Sequence, residues 1–147
     1  MKPFEDYVKE GIVSKEARSI NRARELINNA RVKLDLVAVQ ELSPETAPFR
    51  FMGAYEVMND CISSLMALDG YATESHGARV SYIEDKYQGY YGTKLVRSLA
   101  QYTGFRNDIV NRAISVNVDQ AAEAIRVARE FLRVTRDIVS AKLTILV

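Results

Sequence analysis

The sequence predicts an all-α protein, an up-and-down bundle of four to five main helices forming one domain over residues 1–147. Three observations carry that prediction. Apolar residues recur at alternating steps of three and four over long stretches, the spacing that lines one face of a helix. Only three prolines occur, at positions 3, 44 and 48, so most of the chain lacks the residue that most strongly breaks a helix. No alternating run bounded by turn residues reads as a strand, apart from "LTILV" at the C-terminal end. There is no internal repeat, low-complexity tract or dividing linker, and 147 residues suffice to bury a core. Short connections make neighbouring helices antiparallel.

Over residues 14–42 the apolar positions are Ile20, Ala23, Ile27, Ala30, Leu34 and Val37, with Arg18, Arg22, Arg24, Glu25, Arg31 and Asp35 on the other face. "LSPETAP" then interrupts, because proline lacks an amide donor and restricts the residue before it. Residues 48–69 repeat the pattern through Phe51, Tyr55, Met58, Ile62 and Leu65, and Gly70 suits the left-handed residue that closes a helix. The next helix starts at "TESH" with Thr73 as cap and ends by Gly89; Val80, Ile83 and Tyr87 form its narrow stripe. "GTKLVRSLAQYTGFRNDIVNRA" follows, capped by Thr93. Asn117 with Gln120 three residues on makes a capping box for a final helix over residues 118–142. Its apolar face holds Ala121, Ala124, Ile125, Ala128, Phe131, Leu132, Ile138 and Val139.

Composition excludes several classes of function. A net charge of +1 provides no global field toward nucleic acid or anionic lipid, so any such contact is local. Cys61 is the sole cysteine, which excludes an internal disulfide and a thiolate metal cage. His76 is the sole histidine, and every Ser-His-Asp or Cys-His arrangement would depend on it. Metal-ligand spacing and phosphate-cradling glycine loops are both missing, so no metal and no cofactor are expected. "MKPFEDYVKEG" lacks the apolar core of a signal peptide, and no apolar run approaches ~18 residues, so no membrane contact is expected and the cytoplasm is the expected location.

One residue breaks the pattern. Leu95, Leu99, Tyr102, Ile109 and Ala113 define the inward stripe of their helix, and Arg106 occupies the position between Tyr102 and Ile109. A guanidinium stays ionised, and burying it without a partner costs several kcal/mol. Arg106 therefore meets carboxylate or amide partners inside the bundle, or it faces a cleft or a second subunit. Tyr55, Glu56, Asn59 and Asp60 are the partner candidates. The plain alternatives are a side chain that snorkels its head to the bundle end, or a structural ion pair.

"FRNDIVNR", ahead of a capped amphipathic helix, resembles the signature of the HEPN superfamily of small, often dimeric helical bundles. "AYEVMNDCISSLMALDGYATESHG" is similar too: a helix ending in glycine, a turn, then a histidine opening the next helix. The resemblance covers roughly residues 15–142. It implies a metal-independent ribonuclease site built from arginine, a following polar residue and a histidine five positions after the arginine. Arg106 and Asn107 match the first two; Asn111 stands where the histidine belongs. An asparagine amide can bond a phosphate but does not titrate, and the general acid–base catalysis it forgoes is worth ~10²–10⁴ in rate. The resemblance thus implies a homodimer that binds RNA or a nucleotide through Arg106, Asn107 and Asn111, with Asn59 and Asp60 as neighbours, and is catalytically degenerate. Family partners include a small nucleotidyltransferase in toxin–antitoxin pairs. The alternatives are an active endoribonuclease that uses Arg106 with another proton carrier, for which His76 has no evident placement, and a purely structural dimerisation module.

Weaker features read as structural. Arg126, Arg129, Arg133 and Arg136 line the last helix, but Glu123, Glu130 and Asp137 interrupt them, as on a solvated face with intrahelical pairs. Tyr82, Tyr87, Tyr90, Tyr91 and Tyr102 are expected to pack rather than to stack on bases, and Cys61 to be an inert core residue.

Overall fold

The computed structural model describes residues 2–146. In chain order its elements are α1 (Phe4–Lys9), β1 (Val13–Lys15), α2 (Ile20–Val39), α3 (Ala47–Asp69), β2 (Tyr71–Thr73), α4 (His76–Lys86), α5 (Gln88–Tyr91), α6 (Thr93–Arg112) and α7 (Val118–Leu146). The all-α prediction holds. Among the described residues the one sheet is a pair of three-residue strands, antiparallel with Val13 opposite Thr73 and Lys15 opposite Tyr71.

The other long helices and α4 all pack on α3. Fifteen of its 23 residues are buried, so it is covered on nearly all sides rather than along one stripe. Pro48 sits in its first turn, where a missing amide hydrogen is tolerated, and Gly70 closes it in the left-handed conformation with φ 87°. α2 lies antiparallel to it: Ser64 Oγ donates to the Ala23 carbonyl at 2.9 Å, and Ser19 N to the Ala67 carbonyl at 3.0 Å. α7 instead runs parallel to α3, with Thr135 beside Cys61 and Lys142 beside Asp69. The three helices between α3 and α7 in sequence, α4 to α6, make that parallel return possible. The neighbours are not all antiparallel.

Several element bounds differ from the sequence expectation, each for a local reason. α2 begins at Ile20 and not at residue 14, because Ser19 Oγ accepts from Arg22 N at 3.1 Å while residues 13–15 are paired to β2. Thr73 is in that strand, its hydroxyl donating to the Ile12 carbonyl, and Ser75 caps α4 by accepting from Ala78 N at 3.1 Å. Thr93 is the first residue of α6 and Gly92 holds the cap position. "LTILV" is not a strand: α7 continues through Leu146, and Val147 lies outside the described residues. The capping box is present, with Asn117 Oδ1 accepting from Gln120 N at 2.8 Å and Gln120 Oε1 from Asn117 N at 2.9 Å. Among the described residues no helix is long and apolar enough to cross a membrane.

Asp69, at the end of α3, ties that helix to α4, to Tyr87 between α4 and α5, and to α7. Its Oδ2 accepts from Tyr82 at 2.5 Å and from Tyr87 at 2.6 Å, and its Oδ1 from Lys142 at 3.3 Å. Burial above all, with the Asp69 carboxylate adding to it and Tyr87 acting on Tyr82, pushes both phenols well above their ordinary range, so they remain donors at any ordinary pH. Asp69→Ala leaves two enclosed hydroxyls without their acceptor and is expected to destabilise the fold by about 2–4 kcal/mol in urea denaturation. A loss below about 0.5 kcal/mol, the range of ordinary surface substitutions, would show that the knot is dispensable.

Candidate functional site

α6 brings Arg106 to a half-buried position one turn beyond Thr103. The helix buries Val96, Leu99 and Thr103 and half-buries Leu95, Tyr102, Phe105 and Ile109. Phe51 of α3 anchors it, with ring centroids 5.5 Å from Tyr102 and 5.0 Å from Phe105. Ala113, expected in the inward stripe, is exposed and ends the helix in the left-handed region at φ 55°.

The Arg106 guanidinium is poorly matched. Its Nε is enclosed without a hydrogen-bond partner, and Nη1 donates only to Asn107 Oδ1, at 3.3 Å. Among the described residues no carboxylate pairs with it. The structural ion pair considered from the sequence is therefore not formed. Asp60 is taken by Lys33 of α2 at 2.8 Å, so it points to a different side of α3. Asn59 is buried one turn along α3 from Tyr55, whereas Asn107 and Asn111 are exposed on the outer side of α6.

Tyr55 connects α3 to both flanking helices. Its hydroxyl lies 2.9 Å from His76 Nδ1 and 3.1 Å from Thr103 Oγ1, and Thr103 Oγ1 donates to the Leu99 carbonyl at 2.9 Å. Each hydroxyl has one hydrogen. With the Thr103 hydrogen on Leu99, Tyr55 donates to Thr103 and accepts from His76 Nδ1–H, so the neutral imidazole carries its free lone pair on Nε2. Burial, then the positive charges of Arg106 and Arg79, lower the His76 pKa; Glu56 and Glu74 oppose them weakly. Burial raises the Tyr55 phenol, partly offset by Thr103, Arg106 and Arg79. His76, which sequence reasoning left unplaced, thus shares the Tyr55 hydroxyl with Thr103, one turn from Arg106, and feels its charge.

Arg79 is the other residue the sequence reading passed over. It follows His76 by three on α4, donates from Nη2 to the Thr73 carbonyl at 2.9 Å, and has an enclosed Nε without a partner. Arg50, more deeply buried on α3, shares that last trait. Two pairs spaced by three, His76 with Arg79 and Thr103 with Arg106, were visible in the sequence. That α4 packs against α6 was not.

The remaining candidates resolve as follows. Arg126 pairs with Glu123, and Arg133 with Glu130 and Asp137, as a solvated face requires. A groove of about 620 Å³ between α2 and α7 passes this row and includes Arg31, Arg129 and Arg136. Tyr82, Tyr87 and Tyr91 are buried packing residues, Tyr102 is half-buried, and Tyr90 is exposed. Cys61 is buried and its thiol pushed up to about 12 by desolvation, so it is inert. Among the described residues no cluster of His, Cys, Asp or Glu is arranged to hold a metal ion. In comparisons with known proteins, no family model, curated protein or solved structure matches the chain.

His76 folds with a lowered pKa, so the unfolded chain binds its proton more tightly. Its contribution therefore leaves stability unchanged above the ordinary value near ~6.5 and lowers it as pH falls below. NMR titration of this single histidine should show a midpoint below ~6.5 that rises in Arg106→Ala. A midpoint unmoved by that substitution would separate the two residues.

Proposed function

We propose that the chain is a HEPN-like helical bundle, cytoplasmic and homodimeric, that binds the phosphate of RNA or of a nucleotide through Arg106. Asn107 and Asn111 assist from the outer side of α6, and the site is degenerate as a ribonuclease because Asn111 cannot move protons. The observation that carries this reading is the guanidinium itself, half-buried, without a carboxylate and with one enclosed donor unused. A charge kept in that state is stabilised by an anion that arrives from outside.

A second copy is supported by the same helix. Val110, 56% exposed between Asn107 and Asn111, and Ile114, 42% exposed just past the end of α6, are apolar residues open to a partner. A partner protein such as a small nucleotidyltransferase enters only through the family resemblance. Metal-independent RNA cleavage is the second reading, and one observation favours it: a titratable imidazole within the field of Arg106, held by the same Tyr55 hydroxyl as Thr103.

Binding is tested by fluorescence anisotropy with a labelled single-stranded RNA at fixed, low salt. Arg106→Ala should weaken it by roughly tenfold or more, the loss of one charge-assisted contact, while Arg133→Ala changes it little. Equal affinities for wild type and Arg106→Ala would remove the proposal. For the second reading, wild-type cleavage of RNA in EDTA that disappears in His76→Gln would promote it, and no cleavage in wild type would set it aside.

A further inference from the structure

We propose that His76, Arg79 and Arg106 form one anion site, which takes a phosphate group and binds a proton at His76 as it does so. The inference rests on the phosphate-binding reading of Arg106 and adds two residues and a proton to it. Asn107 and Asn111 become its periphery.

The placement comes from three helices. α4 presents His76 and Arg79 three residues apart, and α6 presents Thr103 and Arg106 at the same interval; three residues is nearly one turn, so each pair shares a face. The Tyr55 hydroxyl, held by α3, bonds to the first member of both pairs, at 2.9 Å and 3.1 Å. That contact sets the two second members, both arginines, one turn from the same hydroxyl, and the charge of each acts on the imidazole. Each guanidinium has an enclosed Nε without a partner, and neither forms an ion pair among the described residues. Arg79 has spent one donor on the Thr73 carbonyl, Arg106 one on Asn107. Donors remain for a tetrahedral oxyanion.

The hydrogen count orients the imidazole, with Nδ1–H turned to Tyr55 and the basic Nε2 left for a ligand. With the site empty, burial and the two arginines hold that nitrogen neutral, against the weaker pull of Glu56 and Glu74. A bound phosphate offsets both positive charges and accepts a hydrogen bond from Nε2–H, so the proton affinity of His76 rises. Linkage makes the effect reciprocal: anion affinity increases as pH falls through the His76 titration. The groove between α2 and α7 is the main rival for an anion; its Arg31 and Arg133 are paired with Asp35, Glu130 and Asp137, and its Arg129 and Arg136 are exposed.

Because the chain has one histidine, its ring signals report the site without assignment. The His76 midpoint is measured by NMR with and without inorganic phosphate, and with sulfate, which stays dianionic and so separates proton uptake by His76 from titration of the ligand. Either saturating anion should raise the midpoint by about one pH unit, with affinity for sulfate about tenfold tighter below the midpoint than well above it. Arg79→Gln and Arg106→Gln should each abolish the rise while retaining wild-type circular dichroism, and His76→Gln should flatten the pH dependence of affinity. Should Arg106→Gln alone lose the anion, with His76 unmoved and Arg79→Gln normal, this inference fails and the Arg106 reading stands. Absence of anion binding in the wild type would overturn both.

Discussion

The hydroxyl of Tyr55 sets the geometry on which the rest depends. It is planted on the buried side of α3, in a residue only 1% exposed, and a hydroxyl there without partners costs about 1–3 kcal/mol. Its two partners come from different helices, His76 opening α4 and Thr103 midway along α6. Satisfying one hydroxyl therefore fixes the register of both helices against α3. The aromatic contacts of Phe51 with Tyr102 and Phe105 hold α6 from the other side, so that register has little room to slip. Arg79 and Arg106 are then brought in as passengers of those helices, one turn away.

This arrangement is costly for a merely structural cluster. Interior charges are ordinarily matched, because desolvating a cation costs several kcal/mol unless a carboxylate or a full set of acceptors compensates. Two acidic groups of α3 follow that rule, Asp60 meeting Lys33 and Asp69 meeting Lys142 with two tyrosines, whereas Arg50 does not. Around the Tyr55 hydroxyl two half-buried arginines without carboxylates act on a histidine, and all three carry or acquire positive charge. An anion relieves that conflict, which gives the cluster its meaning as a site.

Much of the fold could be read from the chain because local rules govern it. Residues 48–69 have helical periodicity, a proline at the start and a glycine at the stop, and α3 follows all three. The Asn117–Gln120 box works the same way, since its bonds span only three residues. The failures have a common physical origin. Val13–Lys15 is a strand only because Tyr71–Thr73 lies beside it, a pairing across more than fifty residues with no period to announce it. Ser75 displaces Thr73 as a cap because that pairing has claimed Thr73. For the site, the oddity of Arg106 was legible from its place in an apolar stripe. Asp60 was a wrong guess at its neighbour, since helical spacing does not say which side of α3 faces which helix. His76 and Arg79 needed the contact of α4 with α6, and that is tertiary information.

The most direct test is crystallographic. Crystals soaked in selenate or tungstate would locate a heavy oxyanion by its anomalous scattering. The account predicts one strong peak in each protomer, within hydrogen-bond reach of the guanidinium groups of both Arg79 and Arg106 and facing His76 Nε2. Peaks confined to the arginine groove between α2 and α7, with the Tyr55 cluster empty, would contradict it.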